Sequence, residues 1–304
     1  MRERKYFMKN ALLIVNPASG GEEAKSYQEA AKKKLDSHFD QVDVKLTEKV
    51  GDGQAFARQA AEEGYHSIFV IGGDGTVNEG ISGIAEQGYK PNFGFFPLGT
   101  VNDLARALGI PVDPQEAIDN MNLDNTQDLD IGKVNQSYFT NVVAIGNIPQ
   151  SINNVDDKLK TKLGPVAYFI SGLKHALTNK SYEFQVVHDG KRSRVEGSLL
   201  LVALTNSIGG YNNLTPDAKV DDGYLHLILT KDKNFLETLE ALPALLKKEQ
   251  TDEPLVSYKR AKKVNISVKF ADLETNVDGD PGDMLPVSIA ILPRHIKVYS
   301  CKKD

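Results

Sequence analysis

Three short segments carry the residue types that bind phosphate. They are Asn16-Pro17-Ala18-Ser19-Gly20-Gly21, Gly72-Gly73-Asp74-Gly75-Thr76 and Pro97-Leu98-Gly99-Thr100-Val101-Asn102-Asp103. Glycine lets a backbone approach a phosphate closely, and the free N–H groups that open a following helix attract its charge. Ser19, Thr76 and Thr100 add hydroxyl donors. A turn-and-cap reading accounts for any one of the three, because Gly, Ser, Thr and Asp are what a strand-to-helix turn uses. Three such loops on successive strand ends point instead to phosphate binding, since open parallel sheets bind ligands at the carboxyl ends of their strands. The chain has neither the Gly-Lys-Ser/Thr of a P-loop nor the GxGxxG of a dinucleotide site, so its phosphates are held another way.

Each loop follows an apolar strand and precedes a helix. The strands are 11–15 (ALLIV), 42–46 (VDVKL), 66–73 (HSIFVIGG) and 92–100 (NFGFFPLGT). Helical stretches run to about Leu35, then over 52–64, 77–87 and 102–109. This alternation predicts an α/β nucleotide-binding domain, a parallel sheet of Rossmann or phosphofructokinase type. Near residue 128 the pattern changes to strands that mostly follow one another, which predicts an antiparallel β-rich sandwich. The expected division is 1–133 with the closing strand 294–304, and 134–293. Two amphipathic helices, 164–177 and 234–249, are expected to interrupt the second domain.

Composition bounds the function. A net charge of −5 argues against a nucleic-acid partner, which would need a strong basic excess. Cys301 is the one cysteine, so no intrachain disulfide forms and a reducing cytoplasm is expected. Six scattered histidines give no Cys/His metal site. The basic N-terminus leads into only five apolar residues, Ala11 to Val15, too few for a signal peptide. No stretch approaches the roughly 20 apolar residues of a membrane span, so any lipid contact is expected to be peripheral.

Gly72-Gly73-Asp74-Gly75-Thr76 followed by Asn78-Glu79 resembles the nucleotide motif of the diacylglycerol kinase catalytic-domain family. That loop is shared in similar form by NAD kinases and phosphofructokinase relatives. Other segments narrow the likeness. Asn16 to Gly21 resembles the family's first loop, and Gly99-Thr100-Val101-Asn102-Asp103 its GTxND motif. Thr205-Asn206-Ser207, Gly209-Gly210, Pro216-Asp217-Ala218 and Asp221-Asp222-Gly223 resemble its C-terminal signature, and Asp278-Gly279-Asp280 its last motif. The resemblance spans nearly the whole chain and is nearest to the soluble diacylglycerol kinases of Gram-positive bacteria.

The resemblance implies an ATP- and Mg²⁺-dependent kinase that phosphorylates a lipid hydroxyl. It assigns the ATP site to Asn16, Pro17, Ala18, Ser19, Gly20, Thr47, Gly73, Asp74, Gly75, Thr76, Asn78, Glu79 and Thr100. Asp74, Asp103 and Asp130 would form a water-linked Mg²⁺ network, carboxylates being what this hard cation prefers. Helix capping is the alternative role of Asp103. Asp280 stands where the family has a glutamate that acts as general base; the acid is one methylene shorter, and its turn-like setting offers a purely structural reading. A second, structural Mg²⁺ is implied at Asp222 and the carbonyls of Lys219 and Tyr224, against a plain Asp-Asp-Gly turn. His226 departs from the family, which often has an acidic or small polar residue there. Gly80 and Ser82 also depart, one turn into the helix.

The acceptor lipid is expected between the domains, with diacylglycerol giving phosphatidic acid at the inner face of the cell membrane. The segment 159–177 combines lysines with Tyr168, Phe169, Ile170 and Leu173 and offers a transient membrane contact, although such a helix more often packs on its own sheet. Lys247-Lys248, Lys259-Arg260 and Lys262-Lys263 read as solvated faces. A homodimer is implied by the resemblance alone. The alternatives are a kinase of sphingosine, monoacylglycerol or polyprenol, an NAD kinase, or a nucleotide- or lipid-binding regulator without catalysis.

Overall fold

The computed structural model describes residues 9–146, 181–212, 215, 218–230, 251–252 and 256–301. The expected helices at 164–177 and 234–249, Pro216-Asp217 and Lys247-Lys248 lie outside these described residues. The chain divides into two compact units, Met1–Leu129 with Ile296–Asp304, and Asp130–His295.

The first unit alternates strands and helices. They are β1 (Asn10–Val15), α1 (Ala24–Asp36), β2 (Gln41–Leu46), α2 (Asp52–Glu62), β3 (Ser67–Gly72), α3 (Asp74–Ile84), β4 (Asn92–Pro97), α4 (Asp103–Leu108), α5 (Pro114–Asn120) and the first part of β5 (Met121–Val134). The sheet order is β2-β1-β3-β4, all parallel, and the end of the last strand, β19 (Val287–Cys301), joins β4 through Val298 and Phe93. Ala11 to Val15 and Ile68 to Ile71 are completely or almost completely buried, as expected of strands covered on both faces. Fully burying each large side chain contributes about 1.5–3 kcal/mol, so these runs resist a register shift.

The helices bury small residues: Ala57, Ala60 and Ala61 on α2, and Ala31 with Leu35 on α1. Helix α3 starts at Asp74, earlier than the apolar pattern predicted, because the extended Gly73 already accepts the first helical bond from the Val77 N–H at 3.0 Å. The helix α5 was not foreseen. Its Asp113 cap accepts from the Glu116 N–H at 2.8 Å, and Pro114 occupies the first turn, a start signal readable in the sequence.

The second unit is built of strands: the end of β5, β6 (Ser137–Phe139), β7 (Val142–Gly146), β8 (Tyr182–His188), β9 (Lys191–Gly197), β10 (Leu199–Ala203), β11 (Ser207–Ile208), β12 (Tyr211–Asn212), β13 (Leu225–Thr230), β14 (Thr251–Asp252), β15 (Val256–Ala261), β16 (Lys263–Val268), β17 (Glu274–Val277), β18 (Asp280–Met284) and the start of β19. One antiparallel sheet runs β14-β15-β13-β10-β7-β17-β18. The other pairs β19, β16, β8 and β9, also antiparallel. Val143, Ile145, Val202 and Leu225 from the first pack in one core with Phe184, Val264, Ile266 and Ile289 from the second. The unit is therefore a sandwich, as the strand-rich pattern predicted.

Candidate active site

Strand register sets the geometry of the first unit's loops. Val15 pairs with Leu46 and with Ile71, and Gly72 pairs with Pro97. The chain therefore leaves the sheet side by side at four strand ends. Backbone bonds continue the pairing into the loops: Asn16 N–H donates to Ile71 O at 3.0 Å, Thr47 N–H to Val15 O at 2.9 Å and Leu98 N–H to Gly72 O at 2.8 Å. Asn16 also donates from Nδ2 to Thr76 Oγ1 at 3.0 Å, while its Oδ1 accepts from Ala18 N–H at 3.1 Å. The first and second glycine loops are thus joined.

Asp74 joins the second loop to the third. Its Oδ2 accepts from Asn102 N–H at 2.8 Å and its Oδ1 from Asp103 N–H at 2.9 Å, so it caps α4 from another strand end. Asn102 holds a left-handed conformation with φ 54°, and its side chain closes a ring with Gly99, accepting from the N–H at 2.9 Å and donating to the O at 3.0 Å. Arg106 Nε donates back to Val101 O at 2.9 Å. The backbones touch here: a Cβ on Gly99 would lie 2.7 Å from Gly73 Cα. No other residue fits at that contact without separating the loops.

These loops surround the start of α3, whose N-cap, Gly73, has no side chain to offer. The first N–H groups of an α-helix have no partner within it, so they are available to an anion. Gly75 and Thr100 are exposed there, and an added Cβ on Gly75 would meet nothing within 4 Å. Pro17, Ala18, Ser19 and Gly20 follow β1 on the first loop, with Gly20 at φ 63° facing Leu98. Thr47 is half-buried at the end of β2. Asn78 and Glu79 sit in the second turn of α3. The Glu79 carboxylate accepts from Gly51 N–H at 2.8 Å and Gly53 N–H at 3.0 Å, capping α2. Glu79 therefore holds the loop after Thr47 in place.

The donor set around Asp74 and Asp103 fits Mg²⁺. Asp103 is 7% exposed, and its charge adds to the pressure on Asp74. Burial raises the Asp74 carboxyl, against the pull of the Asn102 N–H. Each Asp74 oxygen accepts one bond from the α4 backbone, which leaves each a lone pair for a metal-bound water. Among the described residues no group of three or more His, Cys, Asp or Glu side chains could hold a metal. Few protein ligands supplemented by water and phosphate oxygens is the ordinary pattern for this ion.

The second unit holds the remaining candidates. Asp130 is 2% exposed; its Oδ2 accepts from Gly223 N–H and its Oδ1 from Arg294 N–H, both at 2.6 Å. Burial raises its carboxyl, and the charges of Asp222 and Asp221 add to the rise. Asp130 is thus tied to the loop that carries Lys219, Asp222 and Tyr224. Asp280 opens β18 after a two-residue turn in which Asp278 and Gly279 have φ 50° and 102°, the pattern of a type I′ hairpin. The Asp278 carboxylate anchors that turn. It accepts from Thr140 N–H and Oγ1 at 2.6 and 3.1 Å, Asn141 N–H at 3.0 Å and Val142 N–H at 2.8 Å. Asp280 itself is exposed, and among the described residues its carboxylate takes no hydrogen bond.

Sequence reasoning had not separated Asn102, Arg106 and Asp278 as positioning residues. The Asn-Asp and Asp-Gly pairs were visible signals of left-handed turns, but their partners lie far along the chain.

A family model described as the diacylglycerol kinase catalytic domain matches residues 10–134. A second, the YegS C-terminal NAD kinase beta sandwich-like domain, matches residues 141–300. The chain is 40% identical over 292 residues to a diacylglycerol kinase of Staphylococcus aureus (strain MRSA252), covering 96% of this chain and 92% of that protein. It is 38% identical over 301 residues to a protein of Streptococcus pneumoniae serotype 4, covering 98% and 100%. A diacylglycerol kinase crystal structure from Bacillus anthracis str. Sterne superposes with a TM-score of 0.79 at 27% identity, covering 97% of this chain and 98% of that one.

Proposed function

Since the chain belongs to the diacylglycerol kinase catalytic-domain family, we propose that it transfers the γ-phosphoryl group of ATP to the hydroxyl of diacylglycerol, giving phosphatidic acid. The observation that carries this reading is the closure of three glycine loops on one another at the carboxyl ends of β1, β3 and β4. In this reading the N–H groups opening α3, with Ser19, Thr76 and Thr100, hold the nucleotide phosphates. Asn16 and Asp74 fix the loops, so the donors are aligned before the nucleotide arrives. Thr47 and Glu79 keep the neighbouring loop ordered at its edge.

Asp74 and Asp103 are the residues of the first unit that would hold Mg²⁺. Bound there, the ion would neutralise charge developing on the transferring phosphoryl group. Asp280 accepts the proton as the lipid oxygen attacks phosphorus. The new O–P bond forms, the bond to the β-phosphate oxygen breaks, and ADP leaves. An exposed carboxylate on a tight, anchored turn is well suited to that role. A diacylglycerol resides in a membrane, so the reaction takes place at a membrane surface. Among the described residues no helix is long and apolar enough to cross one.

The test is transfer of radiolabelled γ-phosphate from ATP in mixed micelles with Mg²⁺, offering diacylglycerol, monoacylglycerol, sphingosine and polyprenol, with NAD in a parallel reaction. Labelled phosphatidic acid supports the proposal. Label in another acceptor reassigns the substrate, and no label in any acceptor removes the catalytic reading.

A further inference from the structure

The resemblance to the family implies a structural Mg²⁺ at Asp222, Lys219 and Tyr224, but the residues of this loop do not fit one. Asp222 Oδ2 already accepts from two donors, Lys219 N–H and His226 Nε2, each at 3.0 Å. Its Oδ1 accepts from Tyr224 N–H at 2.9 Å. Three of about four acceptor positions on the carboxylate are therefore filled. Two of those donors belong to Lys219 and Tyr224, the residues whose carbonyls would ligate the ion. Their N–H dipoles point positive ends at the oxygen a cation would need. The Lys219 carbonyl also faces Asp222 N–H at 3.4 Å. Mg²⁺ demands near-ideal octahedral geometry, and this arrangement leaves it one carboxylate position.

The third donor comes from outside the loop. His226 is completely buried on β13. Its Nδ1 lies 2.6 Å from the hydroxyl of Tyr258, and the two rings stack 5.9 Å apart at 15°. A carboxylate only accepts, so the Nε2 facing Asp222 carries the proton, and the tyrosine hydroxyl completes the chain at Nδ1. Each ring nitrogen thus has a partner. Asp130 serves the same loop as Asp222, since it accepts from Gly223 N–H.

We infer that His226 takes the place of a divalent cation in this protein: the chain Tyr258–His226–Asp222 orders the loop at 219–224, which needs no metal. A cation and an N–H donor do the same electrostatic work on a carboxylate. The histidine does it without a dissociable ligand, so the loop's order becomes independent of Mg²⁺ concentration.

The experiment is thermal unfolding of the nucleotide-free full chain in EDTA and in millimolar Mg²⁺, for wild type, Asp222→Asn, His226→Val and His226→Gln. The expected result is an equal Mg²⁺-induced shift, zero included, in wild type and Asp222→Asn. In EDTA, His226→Val is expected to melt about 5 °C below wild type, the scale for losing a buried hydrogen bond to a charged group. His226→Gln, whose amide can still donate, recovers part of that loss and serves if the valine variant does not fold. A larger Mg²⁺ shift in wild type than in Asp222→Asn overturns the inference. So does an anomalous-scattering peak on Asp222 in crystals soaked with Mn²⁺, or no loss of melting temperature in either His226 variant.

Discussion

Asp74 and Asp222 each precede a glycine, one in each unit, and use their carboxylates differently. Asp74 accepts one α4 N–H on each oxygen and keeps capacity for a ligand. Asp222 fills three positions from within its own loop and β13. The pKa shifts follow this contrast. Burial dominates at Asp74 and raises it. Burial is the largest single influence on Asp222 too, but the His226 bond, the Lys219 N–H and the smaller pulls of the same neighbours and the Tyr224 N–H together outweigh it, and the net shift is downward. A carboxylate with spare acceptors in a desolvated loop is held ready for a cation, whereas a saturated one is structural.

Asp280 extends the comparison to its limit, as an exposed carboxylate with no partner among the described residues. The largest effect on activity is therefore expected from Asp280→Ala. General-base removal lowers kcat by about 10²- to 10⁴-fold. Its exposure means that the melting temperature stays within about 1 °C. Loss of stability together with activity would instead make Asp280 part of the turn's architecture and erase the distinction.

Gly99→Ala tests the loop contact instead of a carboxylate. The new Cβ would sit 2.7 Å from Gly73 Cα and from Asn102 Oδ1. The loops must part by several tenths of an ångström, which breaks the alignment of the Asp74 bonds. Misplacement on that scale lowers kcat/KM by up to about 10²-fold. Gly75→Ala, where the added Cβ meets nothing within 4 Å, is the control: it leaves the loop contact intact. Equal losses of kcat/KM in both variants would show that the contact does not matter.

Much of this was legible beforehand. The three glycine loops and the strand–helix alternation are local patterns, and the parallel sheet with its sandwich partner followed from them. What touches what was not local. Glu79 reads as one more polar residue of a nucleotide motif, and nothing near it in sequence names Gly51 and Gly53 as its partners. His226 and Tyr258 are brought together by pairing of β13 with β15. The same holds for Asp278, whose acceptors answer donors on residues 140–142. Buried carboxylates are chosen for their long-range partners, and sequence periodicity carries no record of those.

A smaller effect is expected from Glu79→Gln. The substitution keeps an oxygen to accept from one of the two α2 N–H groups and loses the charge that complements the helix start. A loss of about 1 kcal/mol corresponds to a melting temperature lower by about 2–4 °C. The Michaelis constant for ATP should rise more than kcat falls, because Glu79 orders the loop after Thr47 and touches no reacting atom. Unchanged melting with a collapsed kcat would move Glu79 from the positioning residues to the catalytic ones.

The smallest effect is a dependence of stability on pH at Asp278. Burial pushes its carboxyl up to about 6, opposed by the N–H groups of Thr140, Val142 and Asn141. An ordinary aspartate in the unfolded chain titrates near about 3.9. Between these values the folded state binds the extra proton, so the contribution of this group to stability is full below about 4 and is lost as pH rises through about 6. The amide introduced by Asp278→Asn does not titrate. The difference in melting temperature between wild type and this variant should therefore narrow over that interval and level off above it. A difference that widens with rising pH would mean that the four donors outweigh burial. Asp278 would then belong with Asp222 as a carboxylate held charged by its own loop, and the contrast between the two units would lie in Asp74 alone.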